Sequence, residues 1–228
     1  MKILIVAATW MEVKFLVDEF KYSGEKSHFL KEYQYAENEI DVLIAGIGTT
    51  FSTFHLTTTL QQNKYHLVIN AGIAGSLTND LKIGEVVNVV TEEFADLGIE
   101  NKEQFLTLFE SGFMNSNEFP FENGILKATA SNGNFNLKNV HAITANISHS
   151  DNSSISVIKE KFSAQIESME GAAIIYVCSW FGLPVYEIRA ISNYINPQSY
   201  SAWDIPLALE NLKKSIIGIL NNVTIAIH

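Results

Sequence analysis

Arginine is almost missing from this chain of 228 residues, which has a single arginine, Arg189. A site that grips free phosphate through several guanidinium groups cannot be built from it, although lysines and backbone amides could still bind a phosphate. Because Arg189 stands in an apolar stretch with the pattern of a buried strand, we expect it to form a buried or half-buried ion pair, or a hydrogen-bonded brace.

Cysteine is equally scarce. The single cysteine, Cys178, allows neither an intramolecular disulfide nor a zinc site built from several cysteines. We therefore expect a reduced, cytoplasmic setting.

Positive charge and long apolar runs are also in short supply. The formal net charge of −10 argues against binding to nucleic acid or to a membrane surface, because the chain offers no basic footprint for phosphates. No apolar run approaches the roughly 20 residues that span a bilayer. The apolar start of the sequence soon meets Glu12, which does not fit a signal peptide. We expect no nucleic-acid partner and no membrane segment.

The sequence does contain alternating strand and helix patterns. Hydrophobic residues make up 47% and charged residues 18%, which is typical of a globular domain. The alternation predicts a three-layer α/β/α fold around a central mixed, mainly parallel sheet, formed by a single domain, 1–228. Residues 95–124 are the least periodic, which suggests either a functional lid or interface loop, or a variable surface insertion. The predicted strands are 2–8, 29–35, 40–45, 66–70, 85–91, 140–146, 165–168 and 184–191; the predicted helices end near 20 and 62, and span 152–162, 170–182 and 205–220.

Two glycine-rich segments, "GIGTTFS" at 46–52 and "AGIAGS" at 71–76, each follow an apolar strand. Neither completes a dinucleotide-binding fingerprint, and no GxxxxGK[ST] loop is present. Their glycines either permit tight turns or let the backbone approach a ligand at the carboxyl edge of the sheet. The second interpretation makes substrate-binding candidates of Gly46, Gly48, Gly72 and Ile73.

Two carboxylates and one amide are predicted to follow strands of the same sheet. Glu12 and Glu170 fall at the starts of helices, where a carboxylate also favours the helix dipole. Asn193 closes an apolar strand shortly before Pro197, where an asparagine also suits a turn. Taken together, the three side chains predict one pocket. In it Glu12 could activate water and Glu170 could bind sugar hydroxyls, while Met169 packs on the sugar.

The motif "SMEGAA" at 168–173, followed by "RAISN" at 189–193, resembles the family of purine nucleoside phosphorylases and methylthioadenosine nucleosidases. The segments "NAGIAGSL" and "LKIGEVV" fall in the expected order, so the resemblance covers essentially the whole chain. It implies a nucleoside phosphorylase-like fold that cleaves the N-glycosidic bond of a purine nucleoside, with no cofactor or metal, in a homodimer or larger homo-oligomer. It also implies that Met169 packs on the ribose, that Glu170 binds its hydroxyls and that Glu12 positions the attacking water. Ser192 and Trp203 are further candidates for substrate binding.

Asn193 departs from the adenine-directed members of the family, which place an aspartate there. A 6-oxopurine offers acceptors at O6 and N7, to which an amide NH₂ can donate, so Asn193 favours hypoxanthine or guanine as the leaving base. Further segments, including "FADLG" and "WDIPLALENL", resemble the branch of the family that hydrolyses such a nucleoside with an aromatic carboxylate at its 5′ end. We expect water rather than phosphate as the acceptor, because arginines are lacking and Glu12 would oppose a phosphate.

Several alternatives stay open at this point. They are a methylthioadenosine/S-adenosylhomocysteine nucleosidase, a purine nucleoside phosphorylase, a non-catalytic nucleoside-binding protein and, from the fold alone, a dinucleotide-dependent oxidoreductase. His149 is a candidate to stack on the base. Candidates to stack on the 5′ group are Phe105, Phe109, Phe113 and Trp203.

Overall fold

The computed structural model describes residues 1–100, 104–130, 135–196 and 203–225, and in these ranges strands and helices alternate. Pro197 lies outside the described residues. The helices are α1 (Trp10–Val17), α2 (Thr49–Gln62), α3 (Asn152–Lys161), α4 (Gly171–Trp180) and α5 (Ile205–Ile225). The strands are β1 (Lys2–Ala7), β2 (Lys21–Ser27), β3 (Leu30–Tyr35), β4 (Asn38–Ile44), β5 (Leu67–Ser76), β6 (Val86–Phe94), β7 (Gly98–Glu100), β8 (Phe105–Thr107), β9 (Leu126–Lys127), β10 (Lys138–Thr144), β11 (Ile166–Ser168) and β12 (Val185–Tyr194).

One large mixed sheet organises the molecule, as predicted. Its order is β11-β10-β6-β12-β5-β1-β4-β3-β2, and β11 also pairs with β5, so that part of the sheet closes into a ring. The neighbours β4, β1, β5 and β12 run parallel, whereas β12 meets β6 and β11 meets β5 in antiparallel fashion. The ring brings the ends of distant strands together at one edge.

Helices cover both faces of this sheet. Apolar residues of α1 and α5 form one core with β1 and β5, while α2 and α4 form a second core on the other face. This explains why β1, "KILIVA", is a continuous apolar run, since a parallel strand covered on both faces has no polar side. Within the described residues, none of the helices is both long and apolar enough to cross a lipid bilayer.

Three segments differ from the sequence-based prediction. The strand β2 was missed because "KYSGEKS" is polar and mostly exposed, with no apolar alternation. The segment "AGIAGS" is not a loop, since β5 continues through it to Ser76 and pairs with β12 along its length. Likewise β12 runs to Tyr194, so Asn193 lies inside a strand rather than in a closing turn.

The irregular segment 95–124 contains the small separate sheet of β7 and β8.

Candidate active site

A cleft of about 230 Å³ opens where β1, β4, β10, β11 and β12 end, beside the last residues of β5. Its walls are mostly apolar with a few polar groups, which is the usual composition of a small-molecule site. The predicted site residues that line it are Glu12, Ile73, Met169, Glu170, Ser192, Asn193 and Trp203. Lining residues that were not singled out from the sequence include Thr9, Ile47, Gly75, Ser148, Glu167 and Ile195.

Glu12 is fixed at the edge of this cleft by donors from two elements. It stands in the first turn of α1, and Thr9, the residue before the helix, donates from its backbone N–H to Glu12 Oε2 (2.9 Å) and from its hydroxyl to the same oxygen (3.3 Å). The backbone N–H of Ile73 in β5 donates to Oε1 (3.2 Å). The carboxylate is therefore held in one orientation beside the cleft, with lone pairs still open to a ligand.

Glu170 directly precedes α4 rather than standing in its first turn as predicted. The backbone N–H of Gly48 donates to Glu170 Oε1 (2.9 Å), and Arg189 Nη1 lies 3.9 Å from Oε2. Burial raises the pKa of Glu170 above the ordinary glutamate value, while Arg189 and the Gly48 N–H act in the opposite direction. The carboxylate therefore has one strong donor, one cation nearby, and a face toward the cleft.

Arg189 forms the buried ion pair that its position predicted. It is 1% exposed, and its Nε donates to Glu187 Oε1 (2.8 Å). Burial alone would lower the pKa of Arg189, but the carboxylates of Glu187, Glu170 and Glu12 raise it, so the guanidinium stays charged. The spacing of Glu187 and Arg189 was a signal for this pair, because residues two apart on a strand share a face.

Asn193 sits after an irregularity in the pairing of β12 with β5, at Ser192. The Ser192 hydroxyl donates to Asn193 Oδ1 (2.8 Å), and Asn193 Nδ2 donates to the carbonyl of Tyr194 (3.3 Å). The amide oxygen is thus occupied inside the protein, whereas the NH₂ group has a second hydrogen to donate. Because Asn193 lines the cleft, this hydrogen is available for a ligand bound there.

The glycine candidates do not line the cleft; they shape it instead. A Cβ on Gly72 would lie 2.7 Å from Glu12 Oε1 and would collide with Arg189 Nη1. Gly46 and Gly48 have φ of 85° and 87°, a region that favours glycine, in the turn that leads into α2. Gly72 therefore leaves the space in which Glu12 and Arg189 come together.

Three of the four aromatic candidates for contact with the 5′ group do not line the cleft. Neither Phe105 nor Phe109 lines the cleft, since the ring of Phe105 lies under Lys161 of α3 and the ring of Phe109 packs on Phe121. Phe113 is exposed and does not line the cleft either. Trp203, just before α5, does line it.

His149 does not itself line the cleft but lies next to it. Its backbone N–H donates to Glu167 Oε1 (3.2 Å), and its ring Nδ1 is hydrogen-bonded to Glu167 Oε2. The imidazole is thus engaged with a carboxylate of the cleft wall, and its stacking role stays a prediction. Glu167 was missed because a lone glutamate in the short strand β11 gives no distinguishing pattern.

Comparisons with known proteins agree with this architecture. The model of the phosphorylase superfamily matches residues 2–223. A 5′-methylthioadenosine/S-adenosylhomocysteine nucleosidase of Glaesserella parasuis is 29% identical, over 97% of this chain and 99% of the relative. A futalosine hydrolase of Streptomyces coelicolor is also 29% identical, over 77% of this chain and 76% of its own. Among solved structures, the native futalosine hydrolase of Helicobacter pylori superposes with a TM-score of 0.80 at 21% identity, over 97% of both chains.

Proposed function

Because the chain belongs to the phosphorylase superfamily, we propose that its cleft binds a purine nucleoside and hydrolyses the N-glycosidic bond. The observation that carries the proposal is that Glu12, Glu170 and Asn193, from three separate segments, face one cleft with their orientations already fixed by the protein. Curated relatives named as nucleosidases and as futalosine hydrolases support this reaction class.

The ribose is assigned to the side of the cleft formed by Met169 and Glu170. Cleavage of a glycosidic bond passes through a sugar with oxocarbenium character, and a nearby carboxylate stabilises that positive charge. Glu170 would accept hydrogen bonds from the ribose hydroxyls, which replace the water lost on burial. Met169 would pack against the sugar.

The water is assigned to Glu12. Its carboxylate is fixed by Thr9 and Ile73 at a cleft whose described lining contains no lysine, arginine or histidine. A carboxylate in that place can orient a water molecule and accept its proton as the water attacks the anomeric carbon. Phosphate is the weaker candidate for the acceptor, because Arg189 is already engaged with Glu187 and Glu170.

The leaving base is assigned to Asn193. With its oxygen held by Ser192, the amide offers a hydrogen to O6 or N7 of a 6-oxopurine and stabilises negative charge as the bond breaks. A 6-oxopurine leaves more easily as an anion than adenine does, so it depends less on full protonation at N7. We therefore propose futalosine as the substrate, with hypoxanthine and dehypoxanthine futalosine as products in a menaquinone pathway, and Trp203 as a contact of its 5′ group.

The second candidate is hydrolysis of methylthioadenosine or S-adenosylhomocysteine. It is supported by relatives that are named as nucleosidases for these compounds and are about as similar to this chain as the futalosine hydrolase is. Base release in phosphate-free buffer separates the two, with futalosine, inosine and methylthioadenosine offered singly and the free base followed by chromatography. Hypoxanthine released from futalosine is the expected result. Adenine released from methylthioadenosine instead would refute the base assignment, and release only after phosphate is added would refute the water mechanism. A cytoplasmic setting and a homo-oligomeric state remain predictions.

A further inference from the structure

Two glutamates are completely buried beside Arg189, outside the cleft. Glu92 in β6 and Glu187 in β12 are each 0% exposed. The Thr144 hydroxyl donates to Glu92 Oε2 (3.0 Å), and Arg189 Nε donates to Glu187 Oε1 (2.8 Å). Among the described residues, Glu92 Oε1 and Glu187 Oε2 have no hydrogen-bond partner. Unpaired carboxylate oxygens in a dry interior are costly, so their state needs an explanation.

The two carboxyl groups meet beneath Gly171, the first residue of α4. A Cβ at that position would collide with Oε1 of Glu92 and with Oε1 of Glu187. Both carboxyl groups therefore lie against Gly171, the residue that directly follows Glu170. The contact is possible because β6 and β12 are antiparallel neighbours in the sheet.

Among the described residues, Arg189 is the cation that lies next to this group of acids. The carboxylates of Glu187, Glu170 and Glu12 all act on Arg189, and Glu92 adds its carboxyl next to Glu187. Two adjacent buried carboxylates cannot both be ionised at low cost when a single guanidinium serves them. Burial and the charge of Glu187 raise the pKa of Glu92 well above the ordinary glutamate value. Burial also raises the pKa of Glu187, against the opposing charge of Arg189.

We propose that Glu92 is a positioning residue that stays protonated and donates a hydrogen bond to Glu187, and thereby keeps Arg189 beside Glu170. The proposal rests on the ribose-binding role proposed for Glu170. An ionised Glu92 would be a second anion competing for Arg189, whose Nη1 already lies 3.9 Å from Glu170 Oε2. The protonated form removes that competitor and supplies Glu187 with a second hydrogen-bond donor besides Arg189 Nε.

A pair of replacements separates this role from simple packing. Glu92→Gln preserves the size and a donor toward Glu187, so kcat/KM should stay within about threefold of the wild type. Glu92→Leu should lower kcat/KM by up to ~10²-fold, because Glu170 is displaced from the position in which it would bind the ribose. The wild type should lose activity as rising pH ionises Glu92, and Glu92→Gln should lack that loss. Glu93→Gln, a change at the next residue of β6, should keep the wild-type pH profile. Identical alkaline profiles for wild type and Glu92→Gln would refute the proposal.

Infrared difference spectroscopy reads the proton without relying on activity. At neutral pH, the wild-type spectrum minus the Glu92→Gln spectrum should show the carbonyl band of a protonated carboxylic acid. Absence of that band overturns the proposal whatever the kinetics show. If the band is present but both variants turn over like the wild type, the positioning role is wrong. A wild-type protein that shows the band and releases no base would refute the proposed function while supporting the assignment of the proton. Because Glu92→Gln is nearly isosteric, these measurements do not depend on the folding of Glu92→Leu.

Discussion

The replacement Asn193→Asp tests how the cleft reads the leaving base. The Ser192 hydroxyl donates to Asn193 Oδ1 (2.8 Å), and an aspartate oxygen can accept the same hydrogen bond. The change therefore falls on Nδ2, where a donor is replaced by an oxygen facing the Tyr194 carbonyl at 3.3 Å. Either the new carboxylate is repelled by that carbonyl, or it takes up a proton and has a single donor left.

The expected magnitude follows from the loss of one oriented donor. Removal of a hydrogen-bond donor that stabilises developing negative charge costs about 10²–10³-fold in kcat, or ~2.7–4 kcal/mol. Hypoxanthine release should fall by that factor. Adenine release should improve relative to it, because a protonated aspartate can donate to N7 and accept from the N6 amino group.

The assay compares kcat/KM of wild type and variant for futalosine and for methylthioadenosine in phosphate-free buffer. The matched control is Asn221→Asp, the same chemical change on α5, where the asparagine is exposed and bonded to Tyr35. This control should leave both values unchanged. If Asn193→Asp lowers kcat/KM equally for both substrates, the amide contributes to structure or general binding and does not select the base.

Three further predictions concern the rest of the site. Glu12→Gln should lower kcat by roughly 10²–10⁴-fold with KM little changed, and activity kept within a few-fold would remove Glu12 from the mechanism. Gly72→Ala should destabilise the fold by about 1–3 kcal/mol in urea unfolding and reduce activity, because its Cβ collides with Glu12 and Arg189; Gly218→Ala, with open space around it, should be tolerated. Burial raises the pKa of Glu170, and its proposed role needs the ionised form. As the pH is lowered, kcat/KM should therefore begin to fall at a pH above the ordinary pKa range of glutamate. The residual activity of Glu12→Gln should keep that decline at low pH, and its disappearance would refute the assignment of the decline to Glu170.

The central strands were predictable because parallel strands that helices cover on both faces consist of continuous apolar runs. β1 and the first part of β12 are recognised in this way, and Thr9 with Glu12 marks the start of α1. The polar edge strand β2 carries no such signal. The extension of β5 through its glycines also escaped prediction, because glycine weakens a strand pattern, whereas here Gly72 leaves room for the approach of Arg189 and Glu12.

The charged interior could be predicted only in part. Glu187 and Arg189 stand two residues apart in one strand, and their pairing follows from the period of a strand. Glu92 and Glu167 come from β6 and β11, and only the order of the closed ring brings them to β12 and β5. Nothing in the local sequence distinguishes a glutamate that will meet another buried glutamate from one that will face water.

The single arginine connects composition to the choice of acceptor. A guanidinium in the cleft would favour phosphate, but Arg189 is 1% exposed and bonded to Glu187, with Glu170 as its second neighbour. Glu12 meanwhile places a carboxylate at the cleft edge, held by Thr9 and Ile73, where an incoming phosphate would meet like charge. The single arginine therefore lies beside Glu170, the carboxylate that we propose stabilises the sugar, and the position beside Glu12 suits a neutral water molecule.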